Sequence, residues 1–412
     1  MAEVSAKRDF SKGPVWKVIL AQGLPLTLGQ LVQLLYNVVD RIYLGHIEEG
    51  SSIALTGVGL TFPVITLIMA FTALFGSGGI PLFSIARGAG DVERAKKILG
   101  TSFALLLVSS VVLTVLGQVF CCPILFMFGA SEESYIYAES YLRIYLAGTT
   151  FSMLSVGLSG YINAQGFPGT GMLTTVIGAA ANIILDPVFI FALDMGVAGA
   201  AIATVISQAL SCVWVLIFLT GKRAILRITA KTVGFFRDII KDIMKLGTVG
   251  FIMQGTTFLV QGACNSTLQT YGGDLYVGIM TVLNSIREIF MLPLSGVISG
   301  SQPVIGFNYG AKRYDRVKTA IKFNTIVGSL YMLAAWLAII LFPRVWFSIF
   351  SNDAVLMDSG IKALRVYFFG FVFMALQVAG QSTFQGLGYA KHAIFFSLLR
   401  KVVIVLPLTL IL

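Results

Sequence analysis

The sequence predicts an all-α polytopic membrane protein made of two parallel six-helix repeats, and three observations support this fold class. The 412 residues are 57% hydrophobic and only 12% charged, whereas soluble domains carry about 25% charged residues. Apolar runs of about 18 residues or more recur along the chain, which is typical of membrane-spanning helices. A constant offset aligns the two halves, which indicates an internal duplication.

Eleven apolar segments are long enough to cross a bilayer. The predicted spans are 15–44, 52–79, 97–120, 134–162, 169–193, 197–220, 240–269, 276–301, 317–343, 359–386 and 392–412.

The connections between spans alternate in charge. Those after the second, sixth and eighth spans are rich in lysine and arginine, at 87–97, 222–245 and 312–318. Those after odd-numbered spans carry acidic residues instead, such as Glu132 and Asp353. By the positive-inside rule, the sequence predicts a multi-pass protein of the cell inner (plasma) membrane with a cytoplasmic N-terminus.

The duplication is seen in two separate regions. A shift of 222 residues pairs Gly78 with Gly300, Pro81 with Pro303, Arg94 with Arg316, Arg143 with Arg365, Tyr145 with Tyr367 and Gly148 with Gly370. Each repeat has an even number of spans, so both halves enter the membrane in the same orientation, as in parallel-repeat transporters. The equivalent of the sixth span would fall beyond Leu412, so we expect the twelfth helix to be missing from this chain.

This organisation predicts an N-terminal six-helix lobe at 1–220, a cytoplasmic linker at 221–239 and a C-terminal lobe of about five helices at 240–412. The linker is basic and weakly amphipathic, with Ile225, Leu226 and Phe235 among its apolar residues. We expect it to lie on the anionic inner leaflet rather than to act as a regulatory element.

Ionisable residues within spans are costly and usually mark an ion or substrate path. Asp40 lies near the outer end of the first span, Asp186 in the fifth, and Thr204 near the outer end of the sixth. Counted along their helices at about 1.5 Å per residue, all three lie roughly 7–11 Å below the outer boundary. Asn182 is one helical turn before Asp186, on the same face. We therefore expect Asp40, Asn182, Asp186 and Thr204 to share one pocket.

All four side chains in this pocket offer oxygen ligands, which suit a hard cation such as Na⁺, or a proton shared between two carboxylates. Pro187 cannot donate to the carbonyl of Ile183, which frees another oxygen nearby. The alternative is structural: Asp40 would pair with a basic residue elsewhere, and Asp186 would sit at a helix kink. The residues leave Na⁺ and H⁺ equally open as the coupling ion.

A second polar set lies on the first, seventh and eighth spans. We expect these residues to line a substrate cavity: Gln33, Tyr36, Asn37, Gln254, Gln261, Glu288 and Met291. Glu288 and its neighbour Arg287 could instead be interhelical partners. Pro25 is predicted to be a bend of the first helix, with close helix packing as the alternative.

Several other functions find no support in the sequence. It contains no Walker A motif, no HExxH, no GxSxG and no Ser/His/Asp set, so we expect neither an enzyme nor a bound cofactor. The four cysteines have no CxxC spacing. The net charge of +10 comes from short loops without interleaved aromatic residues, so nucleic acid is not an expected partner.

Four segments together resemble the multidrug and toxic compound extrusion (MATE) transporters: QLLYNVVDRIYLG, NIILDPVFIF, GVAGAAIATVISQ and SGSQPVIGFNYGAKRYDRVKTA. The resemblance covers 17–412 and is closest to the DinF-like branch. It implies twelve helices in two lobes around a V-shaped cavity, and antiport of a drug-like, often cationic, molecule against Na⁺ or H⁺. It also implies a cation site at Asp40, Asn182, Asp186 and Thr204, and a bend of the first helix at Pro25.

The predicted function is therefore secondary active multidrug efflux by alternating access, performed by a monomer in the lipid bilayer. One alternative is a flippase for lipid-linked oligosaccharides, which would need a strongly cationic cavity; Arg287 and Arg400 are its candidate residues. A channel is a further alternative. A duplicated fold with one asymmetric pair of buried acids favours a coupled carrier over a channel.

Overall fold

The computed structural model describes residues 9–44, 51–350, 354–399, 403 and 407. Within these ranges the ordered elements are all helical, with no strand. In chain order the helices are α1 Val15–Leu44, α2 Ser51–Thr72, α3 Gly79–Gly88, α4 Val92–Val119, α5 Cys121–Met127, α6 Glu132–Ala147, α7 Thr149–Ala164, α8 Pro168–Pro187, α9 Gly196–Thr220, α10 Arg237–Gly310, α11 Tyr314–Leu341, α12 Pro343–Ser348, α13 Ala354–Tyr367, α14 Phe373–Gly386 and α15 Ala390–Leu398.

The helices have the lengths and surfaces of membrane spans. In the described part of the chain, eight helical segments are long and apolar enough to cross a bilayer. Helix α4 shows why: Val111 and Val115 are about half exposed on one face, whereas Leu106 and Ser110 are buried on the other. An exposed apolar face is favourable only when it contacts lipid rather than water. The predicted all-α membrane class is therefore confirmed.

Two predicted spans are interrupted at equivalent positions. The expected span at 134–162 is divided into α6 and α7 at Gly148, and the one at 359–386 into α13 and α14 around 368–372. A Cβ atom at Gly148 would lie 2.5 Å from a methyl group of Val205, so a close helix contact requires glycine here. Hydropathy does not detect such a break because the residues on both sides remain apolar.

The boundaries of the helices repeat with the offset predicted from sequence. Helices α4 and α11 both contain 28 residues and begin at Val92 and Tyr314, which are 222 positions apart. The short helices α5 and α12 begin at Cys121 and Pro343 with the same offset. The duplication is thus confirmed in the backbone. Of the expected eleventh span, 392–412, the structure describes residues 392–399, 403 and 407, and α15 covers the first part of it.

Helix α10 contains two spans joined without a loop. Gly273 has φ 62° and ψ −165°, a conformation that favours glycine and breaks the helix direction. The first arm of α10 precedes Gly273 and the second arm follows it. These arms correspond to the predicted seventh and eighth spans.

The chain forms two compact units, described separately. The N-terminal unit contains Leu28–Phe251, and the C-terminal unit contains Phe10–Thr27 together with residues from Ile252 onward. The core of the N-terminal unit includes Leu99, Leu146 and Tyr161. The division therefore falls within α1 and within the first arm of α10. The sequence-based boundaries 1–220, 221–239 and 240–412 stay a prediction.

The linker belongs to the N-terminal unit. Ala224 and Leu226 are each only 4% exposed and pack in the core of that unit. The backbone N–H of Leu226 donates to Oε1 of Gln165 at 2.8 Å, and Lys97 Nζ lies 5.2 Å from the centre of the Phe236 ring. Ala224 and Leu226 thus face protein, whereas Phe235 of the same linker is 59% exposed, so contact of the linker with the inner leaflet stays a prediction.

Each unit contains a crossing of helix backbones at a pair of glycines that recurs at the equivalent positions of the other unit. In the N-terminal unit, a Cβ atom at Gly78 would lie 2.6 Å from Cα of Gly247. In the C-terminal unit, a Cβ atom at Gly300 would lie 2.6 Å from Cα of Gly23. Gly78 and Gly300 are repeat equivalents, and Gly23 and Gly247 align with a shift of 224 residues. Both copies therefore keep the same close approach.

Equivalent arginines hold a chain segment near each crossing. In the N-terminal unit, Arg94 pairs with Asp242 at the start of α10, with 3.1 Å between Nη2 and Oδ2. In the C-terminal unit, Arg316 donates to the carbonyl oxygens of Phe10 and Gly13, just before α1, at 3.0 and 2.8 Å. The arginine is shared by the two copies, but its partner is a carboxylate in one and backbone carbonyls in the other.

Candidate coupling site in the N-terminal unit

Helices α8 and α9 pack closely and position the candidate site. Helix α8 begins with proline at its first position, Pro168, where a missing N–H has no cost. Ser211 donates its hydroxyl to the carbonyl of Thr174 at 2.9 Å, and Trp214 Nε1 donates to Thr170 at 3.1 Å. Gly178 allows this contact, because a Cβ atom there would lie 2.5 Å from the Ser211 hydroxyl. These bonds fix the register of α8 against α9.

Three of the four predicted coupling residues are on these two helices. Asn182 and Asp186 on α8 are 1% and 0% exposed, and Thr204 on α9 is 6% exposed. The amide Nδ2 of Asn182 donates to the Thr204 hydroxyl at 3.4 Å, a long hydrogen bond. Asp186 follows Asn182 by one helical turn on the same face. The structure thus brings Asn182 next to Thr204, with a buried carboxylate on the same face.

The site offers oxygen atoms to a cation. Within the described part of the chain, the buried Oδ1 of Asn182 has no hydrogen-bond partner, and a buried acceptor of this kind is unfavourable unless it is satisfied. No group of three His, Cys, Asp or Glu side chains among the described residues could hold a metal ion. A hard cation at this position would therefore need the neutral oxygens of Asn182 and Thr204 beside the carboxylate of Asp186.

The backbone changes its winding directly after Asp186. Pro187 ends the α-helix, and Val188–Ala192 forms a π-helical turn. In that turn the N–H of Leu193 donates to the carbonyl of Val188 at 2.9 Å. Proline removes one backbone donor, and π-helical turns are frequent at functional sites. Asp186 therefore lies at the junction of two types of helix.

Asp40, the fourth predicted coupling residue, lies in α1. Its side chain falls outside the described residues, as does that of Asn37 from the predicted cavity. Arg400, a candidate for the flippase alternative, lies outside them as well. The assignment of Asp40 to the site, like the coupling role of the other three residues, stays a prediction.

Pro25 lies inside the continuous helix α1, a short distance before the boundary between the two units at Thr27 and Leu28. Proline leaves the carbonyl four residues earlier without its helical donor. The hydroxyl of Thr27 donates to the carbonyl of Gly23 at 3.0 Å, which adds a side-chain bond around this weak point. A helix would bend most easily here, although the bend itself stays a prediction.

The residues expected to line a substrate cavity belong to both units. Gln33 and Tyr36 are in the N-terminal unit, and Gln254, Gln261, Glu288 and Met291 are in the C-terminal unit. Gln254 and Glu288 are exposed, whereas Met291 packs against the core of its own unit. Their convergence on one cavity stays a prediction.

Sequence reasoning missed a chain of glutamines in the C-terminal unit. Gln377 donates to Gln381 at 2.8 Å, Gln381 contacts the sulfur of Met253, and Gln302 donates to Gln385 at 3.2 Å. The signal was present, because residues 377, 381 and 385 are spaced by four and therefore form one stripe on a helix. This spacing alone predicts a polar stripe on an otherwise apolar span.

Comparison with known proteins gives the family. The MatE family model matches residues 25–188 and 251–411. Multidrug export protein MepA from Staphylococcus haemolyticus (strain JCSC1435) is 28% identical over 93% of this chain and 85% of the relative. MepA from Staphylococcus aureus (strain MRSA252) is 24% identical over 96% of this chain and 87% of the relative.

Solved structures agree with this family. The outward-facing structure of a multidrug resistance MATE family transporter of the MOP superfamily superposes with a TM-score of 0.89 at 28% identity, covering 96% of this chain and 88% of that one. A MOP superfamily transporter from Pyrococcus furiosus has a TM-score of 0.90 at 28% identity, with 98% and 89% covered. The protein is therefore a multi-pass membrane transporter of the MatE family.

Proposed function

We propose that this transporter exports cationic or amphiphilic small molecules in exchange for Na⁺ or H⁺ by alternating access. The two staphylococcal relatives named as multidrug export proteins support the substrate class, since each aligns with more than nine-tenths of this chain. The resemblance to the DinF-like branch supports a coupling site in the N-terminal unit. We also propose that the transporter acts as a monomer in the plasma membrane.

The observation that carries the proposal is the fully buried Asp186 beside Asn182 and Thr204 in a membrane-spanning helix. A buried carboxylate is strongly unfavourable without a compensating charge, so it favours binding of a cation or a proton. At the repeat-equivalent positions of Asn182 and Asp186 the second copy has Ile404 and Leu408. The coupling function is thus assigned to the N-terminal copy alone.

The proposed cycle follows from this asymmetry. With a cytoplasmic N-terminus, the site lies nearer the outer face, so the coupling ion enters from outside. Its binding compensates the charge of Asp186 and Asp40, which changes the packing of α1 and its bend at Pro25. The free energy of this step shifts the transporter between its two states, and the substrate leaves on the outer side.

Export from proteoliposomes tests the coupling role. We expect Asp186→Asn to reduce gradient-driven ethidium export at least tenfold, because the neutral amide no longer needs a compensating ion. Asp40→Asn should have a similar effect. The matched control is Asp194→Asn, an exposed residue after α8, which should export at the wild-type rate. Export by Asp186→Asn at the rate of the control would disprove the coupling role.

The coupling ion is identified in the same vesicles by imposing Na⁺ and pH gradients separately. A carrier concentrates ethidium against its own gradient, and only the gradient of its coupling ion will drive this. A channel would only dissipate the ethidium gradient, whichever ion is supplied. Vesicles that move ethidium downhill under both conditions would therefore reject the antiport proposal.

A further inference from the structure

One arginine of the C-terminal unit holds the chain segment just before α1. The guanidinium of Arg316, in the first turn of α11, donates to the carbonyl oxygens of Phe10, Lys12 and Gly13 at 3.0, 3.3 and 2.8 Å. Hydrogen bonds from a charged donor are roughly twice as strong as those between neutral groups. Because these donors belong to one rigid, planar group, they fix residues 10–13 in a single position.

A buried asparagine positions this arginine. Asn308, near the end of α10, is only 1% exposed. Its Oδ1 accepts from Nε of Arg316 at 3.0 Å, and its Nδ2 donates to the carbonyl of Phe10 at 3.2 Å and to that of Val304 at 2.8 Å. The amide therefore bonds both the arginine and the segment that the arginine holds. We call Arg316 and Asn308 together the α1 clamp.

Apolar contacts join the clamped segment and the first turns of α1 to the same unit. The ring of Phe10 packs edge-on against that of Phe307, with 5.5 Å between the ring centres. Val15 and Ile19 on α1 are 6% and 0% exposed and belong to the same core cluster. Between the clamp and the helix, Gly13 has φ 70°, a turn that favours glycine. The start of α1 therefore cannot shift without disrupting the core of the C-terminal unit.

The anchored part of α1 ends close to the weakest point of this helix. The glycine crossing holds α1 a second time, because a Cβ atom at Gly300 would lie 2.5 Å from the backbone nitrogen of Gly23. Pro25 follows two residues later and interrupts the helical hydrogen bonds. Beyond Thr27, α1 belongs to the N-terminal unit, in which the proposed coupling residues lie. The helix is thus held at its start, weak at Pro25 and continuous with the unit of the proposed ion site.

The equivalent contact in the N-terminal copy is weaker. Arg94, the repeat equivalent of Arg316, makes an ion pair with Asp242, and both side chains are about half exposed. Ala86 stands at the position equivalent to Asn308, so the first copy lacks the amide that positions the arginine. The first copy folds without this amide. Packing of the shared fold therefore does not account for the buried asparagine of the second copy.

We propose that the α1 clamp is a positioning device for transport: it fixes the start of α1, so that binding of the coupling ion bends the helix at Pro25. If the start of α1 were free, the helix would move as a rigid rod, and the free energy of ion binding would not produce a bend. This inference rests on the proposed function and adds two residues on which its ion-driven step depends. Arg316 and Asn308 act through α1 rather than on the ion.

A distance along α1 tests the clamp directly. Lys17 and Leu35 are exposed on either side of Pro25, so spin labels there report a bend in a background without the four cysteines. The labelled positions are about 27 Å apart on a straight helix, and a bend of about 40–60° shortens this distance by about 2–4 Å. We expect the ion that drives ethidium export, supplied as Na⁺ or as a pH step, to cause this shortening. In Arg316→Gln the ion should leave the distance unchanged.

Export of ethidium from proteoliposomes tests the consequence for transport. Per folded transporter, counted by size-exclusion chromatography, we expect Arg316→Gln to lower the maximum rate about tenfold and to change the half-saturating concentration of the coupling ion less than twofold. Arg316→Lys should recover part of the rate, because it keeps the charge but not the rigid set of donors. Asn308→Ala, which introduces the residue of the first copy, should lower the rate about threefold and replaces Arg316→Gln if that variant does not fold. Arg313→Gln, an exposed arginine three residues earlier, is the matched control and should export at the wild-type rate.

Other results would overturn the clamp. Export by Arg316→Gln at the wild-type rate would show that the start of α1 need not be held. A lower rate together with the full ion-dependent shortening would show that Arg316 does not act through the bend. Export by the wild type without any shortening would reject the inference and leave ethidium export standing. No export by the wild type would reject the proposed function as well.

Discussion

The two copies of the repeat have the same helices but different side chains at the same buried contact. In the N-terminal unit, the hydroxyls of Ser102 and Tyr161 lie 2.5 Å apart, and Gly79 leaves the space that the tyrosine occupies. In the C-terminal unit, the equivalents are Ser301, Asn324 and Thr383. There Nδ2 of Asn324 donates to the hydroxyl of Ser301 at 2.6 Å.

This difference shows how a duplicated backbone accepts new chemistry. The tyrosine and glycine of one copy are replaced by a threonine and a serine at the equivalent positions of the other, so the total side-chain volume at these positions is approximately conserved. All the side chains in both sets are buried, and each copy keeps a polar contact between its helices. The three positions together must therefore keep their total volume and a hydrogen bond, while the residue at each single position can change.

The largest expected effect on stability comes from Gly79→Ser, which gives the N-terminal copy the serine that the C-terminal copy has at the equivalent position, Ser301. In Gly79→Ser the new Cβ atom would overlap the hydroxyl of Tyr161 and lie 2.6 Å from that of Ser102. We expect a loss of about 3 kcal/mol in the free energy of unfolding, at the upper end of overpacking. The measurement is equilibrium unfolding in mixed detergent micelles.

Adding Tyr161→Thr tests whether the two positions form one set. Alone, this substitution should cost about 3 kcal/mol through the cavity that it leaves. Combined with Gly79→Ser, it removes the clash and rebuilds the arrangement of the C-terminal unit. We expect the double variant to be about 1–3 kcal/mol more stable than the sum of the single effects predicts. Purely additive effects would show that the two contacts are unrelated.

The glycine crossings should differ in how strictly they require glycine. A Cβ atom at Gly247 would overlap the carbonyl oxygen of Leu74, whereas one at Gly23 would lie 2.7 Å from Cα of Val297. We expect Gly247→Ala to lower the free energy of unfolding by about 2 kcal/mol and Gly23→Ala by about 1 kcal/mol. Gly255, also on the first arm of α10, has no atom within 4 Å of its Cβ position.

Gly255→Ala is thus the control for this series. It should be neutral or stabilising by up to about 1 kcal/mol, because alanine favours the helix more than glycine does. Thermal unfolding followed by size-exclusion chromatography ranks the three variants. An equal loss of stability in Gly23→Ala and Gly247→Ala would contradict the expected difference, because it would mean that the helices at both crossings move apart to the same extent.

The smallest effects are expected at the equivalent arginines. Arg94 and Asp242 are both substantially exposed, with 55% and 43% of their side chains accessible, so Arg94→Gln should cost at most about 1 kcal/mol. Arg316 bonds several backbone carbonyls before α1, so Arg316→Gln should cost about 1–3 kcal/mol. Hydrogen exchange at residues 9–15 should rise in Arg316→Gln and not in Arg94→Gln. A larger loss of stability in Arg94→Gln than in Arg316→Gln would contradict this difference between the two copies.

The sequence predicted the membrane class and the duplication because hydropathy and a constant offset report on whole segments. It did not predict the breaks at Gly148 or the π-helical turn after Pro187, because these depend on contacts with other helices. It did not predict that Leu226 is buried in the protein, since the pattern around this residue cannot distinguish a lipid surface from a protein surface. Only packing makes that distinction.

For the candidate site, counting residues along the helices placed Asp186 and Thr204 at one depth, with Asn182 one turn before Asp186 on the same face. In the structure a hydrogen bond joins Asn182 to Thr204. Their assignment to ion coupling stays a prediction. The hydrogen bond between Tyr367 and Asn284 could not be predicted, because the two residues are far apart in sequence and no periodic pattern connects them. Contacts between distant segments are the part of a site that single-sequence patterns do not contain.

The boundary between the units falls inside two continuous helices rather than in a loop. Residues 10–27 form the start of the first copy but belong to the unit of the second, and the first arm of α10, which starts the second copy, begins in the unit of the first. A single ancestral copy would have its first segment packed in the unit of another copy, so it could form a whole unit only by exchanging these segments with a second molecule. Gene fusion would then have made a swapped homodimer permanent, and halves cut within the linker should regain activity only when they are expressed together.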